Sequence, residues 1–150
     1  MKILVSACLL GTPCRYDGRS VPCKEVLKLK TQHELIPFCP EEAGGLLTPR
    51  PAAERRGNRI VTKNGKDVTK EYALGAALAE KLAIKEGCTL AILKEKSPSC
   101  GCGKIYDGTF SKTLTDGDGV TAETLKNAGF CVVSETQLKD AAHLLGIDAD

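Results

Sequence analysis

The chain has no tryptophan, one methionine, two histidines, three tyrosines and three phenylalanines in 150 residues. Six large aromatic rings are a thin supply for stacking successive bases, which argues against a single-strand nucleic-acid binder. Charge of one sign is missing too: 21 Lys and Arg face 19 Asp and Glu, a net +2, so there is no basic footprint for an extended polyanion. No apolar run is long enough to span a bilayer, and the chain opens on a strand pattern without a charged leader, so a cytoplasmic protein with no membrane partner is expected. A C-x-x-C pair, the usual knuckle of a structural zinc site, is also lacking.

Cysteine is not scarce. There are eight, at positions 8, 14, 23, 39, 88, 100, 102 and 131. In a chain of this length without a secretory pattern, they point to metal binding, redox work or catalysis rather than disulfides. Their placement follows the secondary-structure pattern. Lys2-Ile3-Leu4-Val5 reads as a buried strand leading into S-A-C-L-L-G-T-P-C-R-Y-D-G from Ser6 to Gly18, where Gly11, Pro13 and Gly18 exclude a regular element. A helix started by Pro22 is expected from Val21 to Gln32, then a strand Leu35 to Phe38 kept at a sheet edge by Pro37, then Cys39 and a loop from Pro40 to Gly45.

Leu46 to Asn64 reads as a long loop with a small hairpin at Ile60-Val61-Thr62 turning on Asn64-Gly65. Asp67-Val68-Thr69 offers a cap to the strongest helix, Lys70 to Glu86, whose apolar positions 73, 74, 76, 77, 78, 79, 82 and 83 suggest a broad buried face, closed by Gly87. The strand Thr89 to Lys94 then runs into the loop S-P-S-C-G-C-G from Ser97 to Gly103. Lys104 to Val120 is irregular by pattern, and a helix Thr121 to Ala128, a strand Phe130 to Val133 and a helix Glu135 to Leu145 follow.

Alternating strands and helices give an α/β class: a single Rossmann-like domain over residues 1–150, with a mostly parallel sheet of about four main strands flanked by helices. Right-handed crossovers give the order 2-1-3-4, and ligands of such sheets bind beyond the carboxyl ends of the strands where the order reverses. Cys8, Cys39 and Cys100 each follow one of the first three strands, and Cys14 is within reach of the same cleft. Thiolate ligation suits zinc, copper(I) or an iron-sulfur cluster, and a cluster tolerates dispersed ligands. Three readings stand at this point: a metal or cluster site, a thiol redox site, or ordinary buried cysteines.

Cys23, Cys88 and Cys131 lie within or beside regular elements and read as core fillers. Glu41 and Glu42 are candidate bases or simple helix-start residues, and Ser97 and Ser99 candidate donors or turn caps. Arg15, Asp17 and Arg50 read as structural first, and His33 and His143 as uninvolved.

Several motifs carry a resemblance. C-L-L-G-x-x-C-R-Y-D-G from Cys8, F-C-P-E-x-x-G-G-L-x-x-P-R from Phe38, D-V-T from Asp67, I-L-K-x-x-S-P-S-C-G from Ile92 and I-Y-D-G-T-F from Ile105 together resemble the thiouracil desulfidase family, from about Ile3 to Leu125. The resemblance implies a [4Fe-4S] cluster held by three cysteines with one iron open, and hydrolysis of a thiolated pyrimidine to uracil and hydrogen sulfide. It matches Cys8, Cys14, Cys39 and Cys100 to the family positions; Cys8, Cys39 and Cys100 are taken as the ligands because they end three strands, with Cys14 as the fourth. Glu41 becomes the candidate base for water and Ser97 the hydrogen-bonding or proton-relay partner. An open-iron cluster is also one that aerobic preparation can strip or replace with another metal. The alternative is a non-catalytic iron-sulfur or zinc-binding module, a sulfide carrier or an interaction domain.

Overall fold

An unbroken Ile-Leu-Val run makes β1 (Lys2–Ser6) a strand buried on both faces, as the centre of a parallel sheet requires. The computed structural model describes residues 1–147. In chain order there follow α1 (Lys24–Leu27), β2 (Glu34–Phe38), α2 (Pro40–Ala43), β3 (Ala53–Arg56), β4 (Arg59–Thr62), α3 (Thr69–Glu86), β5 (Leu90–Leu93), β6 (Lys104–Tyr106), β7 (Leu114–Asp116), α4 (Val120–Asn127), β8 (Cys131–Ser134) and α5 (Ala142–Leu145). The main sheet has the order β2-β1-β5-β8 with every pairing parallel, which is the expected 2-1-3-4 arrangement of its four strands. Pro37 sits on edge strand β2, where its missing N–H costs no ladder bond.

Side chains alternate across this sheet into two cores. Ile3, Val5, Ile92 and Val133 pack with Val26, Leu138 and Leu145 on the α1 and α5 side. Leu4, Ala91, Leu93 and Val132 meet Ala79 and Ala83 of α3 and Ala122 and Leu125 of α4 on the other. No helix among the described residues is long and apolar enough to cross a membrane.

Several local expectations differ from the structure. The helix expected from Val21 is α-helical only from Lys24 and tightens to a 3-10 turn over Lys28–Thr31. The reason lies upstream: Val21 and Cys23 donate their N–H groups to Cys8 O (2.9 Å) and Leu9 O (3.0 Å), which holds 21–23 extended. The stretch expected to loop after Cys39 is the short helix α2, with Pro40 at its first position. The first hairpin turns on Gly57-Asn58 between β3 and β4; Asn64-Gly65 makes a second turn beyond it. Lys104 to Val120 contains the hairpin of β6 and β7, whose strands of three residues are too short to show a period.

The terminal helix is reduced to a 3-10 turn over Leu138–Ala141 followed by α5, because Gln137 Oε1 accepts the Ser134 N–H (3.0 Å) and ties 134–137 into a turn. α3 forms nearly as expected, but its buried face is narrow: Tyr72, Gly75, Ala76, Ala79 and Ala83 face inward, while Ala73, Leu74 and Ala77 are exposed.

The small residues let α3 cross α2 at backbone contact. A Cβ on Gly75 would lie 1.9 Å from the Pro40 carbonyl oxygen, and one on Gly44 would lie 2.0 Å from that of Glu71. Both elements that flank the end of β2 are locked together by these two glycines.

Candidate active site

Three loops leaving the carboxyl ends of adjacent strands converge where the strand order reverses. β1 passes directly into a 3-10 turn over Ala7–Leu10 that carries Cys8, and Cys14 follows on the same loop. β2 ends at Cys39, the residue that caps α2. After β5 the chain turns at Ser97, whose Oγ accepts N–H bonds from Ser99 and Cys100, both 3.0 Å, and so fixes Cys100. All four of these cysteines are free thiols and line one cleft of about 330 Å³, together with Glu41 and Ser97.

Cys14 is more central than its loop position suggested. Its carbonyl accepts the Cys39 thiol (3.8 Å), and its sulfur, that of Cys39 and a Glu42 carboxylate oxygen lie within 4.8 Å of one another. Crowding and burial keep the Cys14, Cys39 and Cys100 thiols protonated. The Cys39 thiol is pushed far up, first by its bond to Cys14 and then by burial. For Cys14 the bond from Cys39 pulls downward, but the bond to Cys8 and burial outweigh it, leaving it at about 11. Burial pushes Cys100 up to about 12, against hydrogen bonds from Ser6 and Ser99. Buried soft ligands that stay neutral alone are deprotonated by a bound cation, so this donor set fits a thiophilic metal or cluster.

Glu41 is held from both sides. One carboxylate oxygen pairs with Arg50 Nη2 and the other accepts the Tyr72 hydroxyl. Arg50 also donates to the Cys14 carbonyl (2.9 Å) and to Thr48 Oγ1 (2.8 Å), so one buried guanidinium ties the acid to the cysteine loop. Burial of the Arg50 cation opposes its charge, but the Glu41 carboxylate more than offsets this and raises its pKa. Tyr72 is raised well above the ordinary phenol range by burial and then by the Glu41 charge.

The remaining candidates separate cleanly. Ser99 is buried with its hydroxyl against that of Thr121 (2.8 Å), and it is Ser97 that caps the turn. Arg15 lies over the Tyr16 ring, and Asp17 accepts the Arg19 N–H (3.0 Å), so both shape their own loop. Cys102 points away into the α3 and α4 core and donates to Val132 O. Cys88 is buried there too, while Cys23 and Cys131 pack against the opposite core. His33 sits at the other end of the sheet, against the N-terminus and Leu145 O (3.0 Å), and His143 is exposed on α5.

Sequence reasoning missed Tyr72, Glu54 and Phe110, all of which line the cleft. The strained backbone gathers there as well: Lys96, Phe110 and Lys112, non-glycine residues with φ between +57° and +67°, all border it.

Known proteins share this arrangement. The uncharacterized protein YbbK of Bacillus subtilis (strain 168) is 45% identical over 148 residues, covering 92% of this chain and 98% of its own length. A solved structure of the [4Fe-4S]-dependent thiouracil desulfidase TudS superposes with a TM-score of 0.90 at 48% identity, covering 97% of each chain. Residues 3–137 match the model of 2-thiouracil desulfurase, a span that takes in every cleft-lining cysteine, and the chain therefore belongs to the 2-thiouracil desulfurase family.

Proposed function

We propose that this protein hydrolytically desulfurates thiolated pyrimidines, turning thiouracil and water into uracil and hydrogen sulfide without net redox change, at a [4Fe-4S] cluster held by three cysteines. What carries this is one observation: Cys8, Cys39 and Cys100, from the ends of three neighbouring parallel strands, line one cleft with Cys14, Glu41 and Ser97. The 48% identity to a [4Fe-4S]-dependent thiouracil desulfidase supports the cofactor and the substrate class. The all-thiol donor set, with no histidine lining the cleft, suits such a cluster. Cys8, Cys39 and Cys100 are the proposed ligands, and Cys14, whose sulfur lies within 4.8 Å of that of Cys39, is the neighbour that packs beside them.

When bound, the cluster supplies a Lewis-acidic iron without a protein ligand, which polarises the carbon-sulfur bond and accommodates the departing sulfur. The protein supplies the proton chemistry. Glu41 takes a proton from the attacking water; Arg50 and Tyr72 fix its two oxygens and leave each a second lone pair. Ser97 uses both lone pairs on the Ser99 and Cys100 N–H groups, so its hydroxyl is left with a proton to donate. A cleft of about 330 Å³ matches a free base or another small heterocycle rather than an extended nucleic acid.

The test is anaerobic preparation followed by iron and acid-labile sulfide analysis, visible spectroscopy, and sulfide release from 2-thiouracil and 4-thiouracil. Cys8→Ala, Cys39→Ala and Cys100→Ala are each expected to abolish reconstitution, whereas Cys14→Ala retains the cluster absorbance. Zinc in place of iron and sulfide would refute the cofactor; a loaded cluster with no sulfide release from either base would refute the activity and favour a sulfide carrier.

A further inference from the structure

The proposed reaction, on which this inference rests, leaves one wall of the cleft without a role. That wall is the turn joining β6 to β7. Phe110 (φ +57°) and Lys112 (φ +61°) there adopt left-handed backbone conformations, and both border the cleft. A turn carrying two such residues relaxes unless its surroundings hold it.

Neighbouring strand β3 provides the hold. Glu54, buried, accepts the N–H groups of Gly108 (2.9 Å) and Phe110 (3.1 Å) on one carboxylate oxygen. Arg56, two residues along and so on the same face of the strand, donates Nε to the Gly108 carbonyl (2.7 Å) and sets its guanidinium 5.8 Å from the centre of the Phe110 ring. Gly108 admits no side chain, because a Cβ would meet Arg56 Cγ at 2.5 Å. Both polar groups of residue 108 and one face of the ring at 110 are gripped by alternate residues of a single strand. A carboxylate taken out of water to accept two turn amides costs more than a neutral cap would. Its effect is to fix where Phe110 stands.

The distribution of aromatics says what the ring faces. Of six aromatic residues in the chain, five (Tyr16, Phe38, Tyr72, Tyr106 and Phe110) line this one cleft. The Tyr72 hydroxyl is committed to Glu41, and Tyr16 stands exposed to solvent at the rim. We propose that Phe110 is the stacking platform for the substrate's pyrimidine ring and that Glu54 is the positioning residue that aims it. With Arg56 on one face of the Phe110 ring, the opposite face serves the flat heterocycle.

The test uses the anaerobically loaded enzyme. Phe110→Leu raises KM for 2-thiouracil roughly tenfold, the scale of one base-aromatic stack, with little change in kcat, and Phe110→Tyr restores it. Glu54→Ala raises KM likewise, and Glu54→Gln, which keeps an acceptor oxygen, recovers most of the loss. If Glu54 acts through the ring, the double variant Glu54→Ala/Phe110→Leu is no worse than Phe110→Leu alone. An unchanged KM in Phe110→Leu, a loss confined to kcat, or additive effects in the double variant would each overturn the proposal. Equilibrium dialysis of uracil separates this failure from failure of the reaction itself: in a protein that releases no sulfide, weaker uracil binding by Phe110→Leu still upholds the platform, and equal binding removes it.

Discussion

Gly75→Ala tests whether the α2–α3 crossing sets the site. By helix propensity alone the change stabilises α3 by about 1 kcal/mol, since alanine is the better helix former. The structure reverses that sign. The new Cβ would lie 1.9 Å from the Pro40 carbonyl oxygen and 2.7 Å from its carbon, where ordinary contact begins at 3.4 Å. Both opposing atoms are backbone, so no side chain can swivel away, and α2 has to move. Overpacking of this kind costs about 1–3 kcal/mol. Set against the propensity gain, the net loss is about 0–2 kcal/mol, a fall of up to about 8 °C in Tm at this chain length where a propensity argument alone expects a rise.

Activity suffers more, because Cys39 caps α2 and α2 carries Glu41. A misplacement of about 1 Å between reacting groups lowers rates by about a hundredfold. The assay is thermal melting together with iron content and sulfide release from thiouracil, with Ala77→Gly as the control. Ala77 is exposed on the same helix, so its replacement by glycine costs about 1 kcal/mol through propensity without touching α2. A Gly75→Ala protein that melts higher than the parent and keeps its rate would refute the reasoning. So would an Ala77→Gly protein that loses activity to the same degree.

Two further outcomes follow from the same geometry. Tyr72→Phe keeps the ring but removes the hydroxyl from Glu41, and should lower kcat about tenfold, the worth of one hydrogen bond to a charged group, while KM for thiouracil and iron content hold; an unchanged kcat would show that Tyr72 does not position the acid. In the cluster-free protein, Cys100 and Cys14 titrate at about 12 and about 11 instead of near 9, so the folded chain keeps protons that the unfolded chain releases. Their contribution to stability is intact below pH 9 and declines as pH rises from 9 toward 11. Tm measured over that range should fall, and Cys100→Ala should flatten the slope; a Tm that climbs with pH would contradict the assignment.

The strand order and the cleft were legible because they depend on signals the chain repeats. Ile3 to Val5, Leu90 to Leu93 and Val132-Val133 are apolar runs separated by crossovers, and right-handed crossovers leave few orders to choose from. Once the order is known, the cysteines that follow the first three strands fall at one cleft. The site's supports were not legible, because they come from segments without a period. α2 has four residues, β6 and β7 three each, and none completes the pattern that identifies a helix or strand. α3 misled in the opposite way. The expected face ran over positions 73, 74, 76, 77, 78, 79, 82 and 83, yet Ala73, Leu74 and Ala77 are exposed, and only Ala76, Ala79 and Ala83 of that set are buried, together with Gly75.

Close approach explains why the buried face is so narrow and links it to function. A helix that must touch another backbone needs its smallest residues inward, so the least hydrophobic stripe of α3 marks its tightest packing. That packing sets Tyr72 against Glu41 and fixes Cys39 at the head of α2. Aromatic count and aromatic placement answer different questions. Six rings in 150 residues are few for a nucleic-acid surface, but function depends on where they gather, and five of the six border one cleft. Count bounds how large a stacking surface can be, whereas topology decides whether the few rings present act together. Here Tyr16 comes from the loop after β1, Phe38 from the end of β2, Tyr72 from α3, and Tyr106 and Phe110 from the β6–β7 hairpin, so only the folded chain assembles them around the thiols.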